Sequence, residues 1–203
     1  MLEKRGVMFG RDVNAYTSQD ETVYNISNVP TKDVGLLDTC LLVLYDWSHN
    51  LTLDDKEIDN ERPIITEEWR TRNGPGARMF KEMAPVLYNG AKYAYRDVIG
   101  DVEVINNFEY DVLRAYYRKW YRPDLQAIAV VGDFDAEEME RKIIELFSTI
   151  PPKENPAPRL EEEIPYKEGI SYVSVTDPEL TTSSIALYMK YNSTPRELRG
   201  TYG

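Results

Sequence analysis

The sequence predicts an α+β fold, with an antiparallel-rich sheet and helices packed on one face of it. Apolar and polar side chains alternate over residues 13–17 and again over 22–27, with the polar run Ser18-Gln19-Asp20-Glu21 between them. Alternation on both sides of a short polar turn predicts a β-hairpin. Several longer segments repeat their apolar residues every three or four positions, which predicts helices. The 203 residues suffice for one sizeable core, or for one complete unit and part of another.

The segment that contains Pro63 leaves two helix boundaries open. A helix that begins near Asp59 places Pro63 in its first turn, whereas a helix that begins near Asp54 has Pro63 as a kink in its interior. Either helix ends before Gly74. Residues 89–101 are rich in Tyr and Gly and are expected to form a loop. The predicted helices span residues 31–50, 54–73 or 59–73, 77–88, 107–122 and 135–152.

Three further strands are predicted from apolar runs rich in β-branched residues, at 125–134, 170–177 and 182–191. Residues 153–168 are rich in proline and charge and are expected to form a linker, because such a composition cannot pack a core. We therefore expect residues 1–152 to be a first α+β unit and 169–203 to be the start of a second. Two strands do not make an independent domain, so we expect the second unit to be incomplete.

The composition excludes several classes of function. The net charge of −11 argues against nucleic acid and anionic membranes as partners, because phosphate binding needs a basic surface. No run approaches 18 consecutive apolar residues, so no membrane span is expected. Cys40 is the single cysteine, which excludes an intrachain disulfide and a cysteine-based zinc site. It lies in an apolar run and is expected to be a small buried hydrophobe.

Two glutamates in the run NERPIITEEWR, residues 60–70, raise the question of a metal site. Glu61 and Glu68 are about two helical turns apart, with their carboxylates on one face and roughly 10 Å apart along the axis. The residues alone favour an ordinary solvated helix face. The alternative is a metal site in which one carboxylate binds the ion and the other supports a ligand, since both cannot readily reach one ion.

Four segments, in chain order, resemble the pitrilysin/insulinase family of zinc metallopeptidases, which includes the mitochondrial processing peptidases. GRDVNAYTSQDETVY resembles the family's strand pair with the pattern G-x-x-x-N-A-x-T-x-x-x-x-T-x-Y. NERPIITEEWR resembles its E-(x)6-E helix. YYRKWYRPDLQAIAVVGDFD resembles its helix–strand segment, and ELFSTIPP resembles the close of the same unit. The order and spacing make the resemblance specific over residues 1–152, and it implies a metallopeptidase-like roll with a truncated first unit.

The resemblance implies a role for the two glutamates. Family members carry H-x-x-E-H on a helix upstream of the strand pair; its histidines bind Zn²⁺, its Glu is the general base, and a downstream Glu completes the site. By that pattern Glu68 is the metal ligand and Glu61 is the outer carboxylate, with Glu67 as the alternative ligand. The chain holds a single histidine, His49, which is expected at a helix end or on the surface. We therefore expect no catalytic residue in this chain, zinc in the intact protein, and no stable zinc binding by the chain alone.

The resemblance also implies a place for substrate. Family members bind peptides as an added strand beside the first strand of the pair, so that main-chain groups near Ala15 and the Asn14 amide hold the substrate backbone. Tyr16 and Thr17 would shape the cleft. A plain edge strand without a ligand is the alternative interpretation of the same residues.

Two functional hypotheses follow. In the first, the chain is a fragment of a zinc metalloendopeptidase, inactive as given, that acts on peptides or unfolded proteins. In the second, it is a non-catalytic peptide-binding or partner subunit of the same family. Family enzymes often work as paired homologous halves, so pairing with a second half or subunit is expected. They are often exported or organellar, so a periplasmic or exported parent protein is the expectation for location, which the sequence itself leaves unknown.

Overall fold

The computed structural model describes residues 2–191, which form two compact units. The first unit comprises residues 2–66 and 102–159, and the second comprises 67–101 and 160–191. Residues 192–203, the end of the predicted second α+β unit, lie outside the described residues. Three short 3₁₀ helices, at Glu3–Arg5, Lys92–Ala94 and Pro123–Leu125, accompany the main elements. The main elements are β1 (Val13–Thr17), β2 (Thr22–Ile26), α1 (Val34–His49), α2 (Asp55–Arg72), α3 (Pro75–Leu87), α4 (Val102–Asn107), α5 (Tyr110–Trp120) and α6 (Ala136–Phe147).

The predicted hairpin is confirmed. Strands β1 and β2 pair antiparallel, with Ala15 opposite Tyr24, and the N–H of Ser18 donates to the carbonyl of Glu21 at 2.8 Å across the turn. At the other end of the hairpin, the N–H of Ser27 donates to the carbonyl of Asp12 at 2.8 Å. Hydrogen-bonded pairs alternate with non-bonded pairs in an antiparallel ladder. The main-chain groups of every second β1 residue, Ala15 among them, therefore face away from β2.

Asp12 anchors the start of β1. Its side chain is completely buried and accepts hydrogen bonds from the N–H of Met8 at 2.8 Å and from the Asn28 amide at 2.9 Å. The guanidinium of Arg11 adds two more, at 2.9 and 2.6 Å. The hydrogen bonds from Arg11, Asn28 and the Met8 N–H hold the pKa of Asp12 well below its usual range. These bonds fix the chain just before the exposed part of β1.

Because the folded state lowers the pKa of Asp12, we expect this carboxylate to stabilise the fold above pH about 4, the range in which it is also ionised in the unfolded chain. That contribution should be lost as the pH falls further. Asp12→Asn should lower the free energy of unfolding at pH 7 and flatten its dependence on pH between about 4 and 2. Urea unfolding at several pH values measures both effects. The exposed Asp133→Asn is the control, and equal pH profiles for the two variants would contradict the role of Asp12.

Helix α1 covers the hairpin and forms the core of the first unit. Asp33 begins the helix, because its carboxylate accepts the N–H of Leu36 at 3.2 Å. The burial expected for Cys40 is confirmed. The core cluster consists of Leu2, Val7, Val13, Leu36 and Cys40, with Ile26, Val29, Val43 and Trp47 packed against it.

Helix α6 packs on α1 through an aromatic contact and an ion pair. The rings of Tyr45 and Phe147 meet edge to face with centroids 5.6 Å apart, and Lys142 donates to Asp38 at 2.7 Å. Asp135 caps α6 by accepting the N–H of Glu138 at 2.8 Å.

Helix α2 takes the longer of the two predicted forms, with Pro63 in its interior. The N–H of Lys56 bonds to the Asp54 carboxylate at 2.9 Å, so Asp54 caps the helix. Within the first unit, the Arg62 guanidinium donates to the carbonyl of Ile105 and, at 2.8 Å, to that of Phe108, whose ring lies 4.1 Å below it. One arginine therefore ties α2 to the junction of α4 and α5.

Within the second unit, an arginine clamp holds the segment around Asp177 to α3. Arg78 donates from Nε and Nη2 to the two oxygens of Asp177, at 2.8 and 2.9 Å, and lies 3.1 Å from Glu179. Asp177 is nearly buried. Glu162 accepts the backbone N–H of Lys92 at 2.8 Å. These contacts keep residues 160–180 against the helix without any strand pairing.

The α+β class is confirmed, but three predicted strands are wrong for the described residues. Residues 125–134, 170–177 and 182–191 form no hydrogen-bonded strand there. A strand requires a neighbour to satisfy its main chain, and the described chain brings none to these segments. Their apolar side chains are correspondingly exposed, with Val131 at 97% and Ile185 at 101% relative accessibility.

Helix α4 was not predicted, and Ile105 is its one buried residue. Among the helices of residues 2–191, none has the length and apolar character needed to cross a membrane.

Candidate peptide-binding edge and metal-ligand residues

The outer edge of β1 is covered at its start and accessible further along. At Val13, the N–H donates to the carbonyl of Met8 at 3.2 Å and the carbonyl accepts the N–H of Gly10 at 3.1 Å, so residues 8–10 shield this position. At Ala15, the N–H is held by the side-chain oxygen of Asn14 at 2.8 Å. Among the described residues, no backbone N–H donates to the outward carbonyl of Ala15. The edge is therefore available at Ala15 once the Asn14 amide turns away.

The four residues predicted to bind substrate all lie on this edge strand. Asn14, Ala15, Tyr16 and Thr17 are exposed, in contrast to the buried Val13 that precedes them. Side chains alternate along a strand, so Asn14 and Tyr16 share one face and Ala15 and Thr17 share the other. The Tyr16 hydroxyl donates to Glu21 at 3.2 Å, which orients its ring along the hairpin.

Glu68 lies on the exposed surface of α2, in an ion pair with Arg72 at 2.6 Å. Its neighbour Glu67 is bound more firmly, because Arg70 donates to both of its oxygens at 2.8 and 2.6 Å and lowers the pKa of the carboxyl. Glu61 is also exposed on α2. Each glutamate sits on an ordinary solvated helix surface in this structure, and a metal would compete with arginine for Glu68.

The residues present do not fit a zinc site on their own. Within residues 2–191, no group of three His, Cys, Asp or Glu side chains lies close enough to hold a metal ion. His49 is the last residue of α1, which agrees with its expected place at a helix end. A catalytic zinc needs three protein ligands.

Glu68→Gln should leave the fold unchanged, since exposed ion pairs contribute little. We expect the free energy of unfolding to change by less than about 0.5 kcal/mol. Urea unfolding of the wild-type and variant chains measures it. A larger loss would mean that Glu68 has a structural role and that the variant cannot report on a metal.

Asp12 was not predicted as a positioning residue for this edge. Its buried carboxylate joins the segment before β1, through the N–H of Met8 and the guanidinium of Arg11, to Asn28 after β2, and no spacing in the sequence predicts that contact. Its place immediately before the alternating stretch was the available signal, since an Asp at a strand start often holds a turn.

Family models match two parts of the chain. The model of insulinase (Peptidase family M16) matches residues 2–80, and the model of the Peptidase M16 inactive domain matches residues 107–200. The first match contains the hairpin and α2, and the second begins at the end of α4.

Curated relatives and solved structures agree with these matches. The chain is 34% identical over 155 residues to the probable zinc protease PqqL of Haemophilus influenzae, covering 76% of this chain and 16% of that protein. It is 34% identical over 191 residues to PqqL of Escherichia coli, covering 93% of this chain and 20% of that protein. The chain thus spans about one fifth or less of these relatives.

Two solved structures share the fold. The first half of the periplasmic protease PqqL from Escherichia coli superposes with a TM-score of 0.73 at 35% identity, covering 78% of this chain and 34% of that one. A mutant of the ferredoxin protease FusC, in complex with Arabidopsis ferredoxin, superposes with a TM-score of 0.71 at 31% identity, covering 78% of this chain and 17% of that one. With its strand pair and α2 in the order expected for the family, the chain belongs to the pitrilysin/insulinase family of zinc proteases, Peptidase family M16.

Proposed function

We propose that this chain is part of a zinc-dependent metalloendopeptidase that hydrolyses peptide bonds, and that it supplies the edge on which the substrate lies. The accessible main chain of β1 at Ala15 is the observation that carries the proposal. The zinc protease names of the PqqL relatives support it, as does the protein ligand in the FusC structure. The substrates are peptides or unfolded proteins that can extend beside β1.

Main-chain pairing at an edge strand binds substrates with little regard to their sequence. On our account, the Asn14 amide leaves the N–H of Ala15 when a peptide arrives and then bonds to the peptide's own backbone. Tyr16 and Thr17 border the added strand and limit which side chains fit. The Asn14–Ala15 hydrogen bond satisfies the edge when no peptide is bound, so the resting strand does not carry an open donor.

Our metal assignment has Glu68 as a zinc ligand and Glu61 as the outer carboxylate that orients a ligand of the site. By the family pattern, the histidine pair and the Glu general base of the H-x-x-E-H helix would come from outside these 203 residues, because the chain has the single histidine His49 and no such motif. The chain alone should therefore bind peptides without cleaving them.

Zinc measurements on the intact protein test the ligand assignment. Glu68→Gln is expected to lower zinc affinity by about tenfold or more, whereas Glu67→Gln, one position away on the same helix, should leave it unchanged. Elemental analysis after dialysis against buffered zinc gives both values. Unchanged affinity in Glu68→Gln would overturn the assignment, and a loss confined to Glu67→Gln would move the ligand to Glu67.

A second candidate function is a non-catalytic peptide-binding or partner subunit of the same family. The single histidine and the match to the M16 inactive domain favour it. An intact protein that binds peptide through β1 but holds no zinc would select this candidate.

We also propose a domain organisation, a pairing and a cellular location for the protein. Residues 1–152 belong to a first α+β unit, 153–168 to a linker and 169–203 to a second unit, and the protein pairs with a second homologous half or subunit. We propose a periplasmic or exported location, which the periplasmic PqqL of Escherichia coli supports.

A further inference from the structure

The outer edge of β1 is closed at Val13 by a short segment of the chain itself. Residues 8–10 lie beside Val13 in a parallel bridge, in which Phe9 faces Val13. The N–H of Val13 donates to the carbonyl of Met8 at 3.2 Å, and the N–H of Gly10 donates to the carbonyl of Val13 at 3.1 Å. Both outward main-chain groups of Val13 are therefore used. Residues 8–10, which we call the blocking segment, occupy the place that an added strand would take.

The blocking segment is fixed in this place. Val7, the residue before it, is completely buried in the core of the first unit. The Asp12 carboxylate accepts the N–H of Met8 at 2.8 Å, and the N–H of Asp12 donates to the carbonyl of Met8 at 2.8 Å. Gly10 has a φ of 78°, a left-handed conformation that glycine adopts without strain, and it returns the chain toward β1. The segment is therefore a permanent part of the edge.

The blocking segment limits how far a peptide can pair with β1. The next outward main-chain groups along the strand belong to Ala15, two residues after Val13. A peptide residue that faces Ala15 can be followed toward Val13 by one more residue in register, because Phe9 already takes the place beyond it. The peptide must end or turn away there, whichever direction it runs.

Phe9 carries a large exposed ring at the point where this pairing ends. The Phe9 side chain is 61% exposed, although the main chain around it is fixed. Residues that face each other in a bridge have their side chains on one face, so Phe9 shares the face of Val13 and of Ala15. Phe9 and a peptide residue that faces Ala15 would be related as residues i and i+2 of one strand, about 6.6 Å apart. The small side chain of Ala15 leaves room for the two larger ones to meet.

We propose that Phe9 selects an apolar side chain, and an aromatic one above all, at the substrate residue that faces Ala15. The inference rests on the proposed function, since it concerns a peptide bound along the β1 edge. Contact with the Phe9 ring removes apolar surface of both partners from water, and an aromatic pair adds a favourable ring contact. A small polar side chain gains neither. The preferred substrates are unstructured peptides that carry an apolar residue where their pairing with β1 ends.

Fluorescence anisotropy with three labelled peptides tests the proposal on the purified chain. The peptides share an uncharged, unstructured host sequence of Ser, Thr and Gly, and they differ at one central residue, which is Phe, Leu or Ser. Because the register of a peptide on an edge strand is free, the central residue can settle beside Ala15. The wild-type chain should bind the Phe peptide at least about threefold more tightly than the Ser peptide, with the Leu peptide between them. Equal affinities for the Phe and Ser peptides would overturn the proposal.

Two variants of Phe9 and a control locate the preference. Phe9→Ser should bind the Phe and Ser peptides equally, whereas Phe9→Leu should still prefer the Phe peptide. Tyr166→Ser removes a ring of similar exposure, 63%, from the second unit and should leave the wild-type preference unchanged. Circular dichroism checks the fold of each variant. A preference for the Phe peptide that persists in folded Phe9→Ser would show that another residue selects the side chain.

The Ser peptide separates this inference from the proposed function. If the wild-type chain binds it, Ala15→Pro weakens it and the Phe peptide binds no more tightly, the β1 edge binds peptides but Phe9 does not select among them. If no peptide binds, or if Ala15→Pro leaves the affinity of every peptide unchanged, the proposed function is wrong and this inference is wrong with it.

Discussion

Arg62→Met is expected to lower the free energy of unfolding by about 2–4 kcal/mol, the largest stability effect of a single substitution that we predict. Methionine keeps most of the apolar stem but removes every donor of the guanidinium. The carbonyls of Ile105 and Phe108 then lose their partner, and the contact with the Phe108 ring is lost with them. Urea unfolding at pH 7, followed by circular dichroism, measures the change.

Arg70→Met is the matched control, because it makes the same change on the same helix at an exposed residue that, among residues 2–191, pairs only with Glu67. It should cost far less than Arg62→Met. Similar losses in the two variants would show that Arg62 does not fasten α2 to the junction of α4 and α5.

Ala15→Pro is expected to weaken peptide binding by about tenfold or more, the equivalent of at least about 1.4 kcal/mol. The N–H of Ala15 faces away from β2, so proline removes the edge donor while the ladder to β2 stays intact. Edge strands tolerate proline where the N–H faces outward. Fluorescence anisotropy with a labelled, unstructured peptide measures the affinity of the chain.

Ala15→Val separates the missing N–H from the added bulk. Valine is close to proline in size, retains the N–H and favours strands. It should bind the peptide within about threefold of wild type, since backbone pairing carries the affinity. If both variants lose affinity equally, the edge N–H is not the group that holds the peptide, and if neither loses affinity, the peptide lies elsewhere.

Much of the fold follows from local patterns. The hairpin is encoded by two alternations around a polar turn, and α1, α5 and α6 by apolar stripes with clear ends such as Asp135 and Pro123. Pro63 left α2 uncertain, because a proline fits the first turn of one helix and kinks another equally well. Only the tertiary contacts of Arg62 show why the longer helix is stable.

The three predicted strands that the structure lacks among residues 2–191 show that local composition does not decide strand formation. Residues 125–134 have a strand composition, but composition cannot say whether a neighbouring strand is present to bond with them. Within the described residues none is, and Val131 is left almost fully exposed. Pairing is a long-range property, and the sequence of a segment does not contain its partner.

The residues of the candidate peptide-binding edge divide in the same way. Asn14 and Ala15 were predicted because the stretch that contains them resembles the strand pair of the family, and they follow one another along one strand. Asp12 was not predicted, because its partner Asn28 lies beyond β2 and meets it only in the folded chain. Its role appears only when its burial is known.

We expect these residues to bind the substrate of a family M16 protease but not to cleave it. A cleavage assay of the chain in the presence of zinc tests this expectation. The purified chain is incubated with an unstructured peptide that it binds, with zinc in excess or with a chelator, and the products are followed by mass spectrometry. We expect an intact peptide in both cases. Zinc-dependent cleavage that the chelator stops would show that the chain holds a complete catalytic site and would contradict this expectation. Copurified proteases must first be excluded as the source of that cleavage.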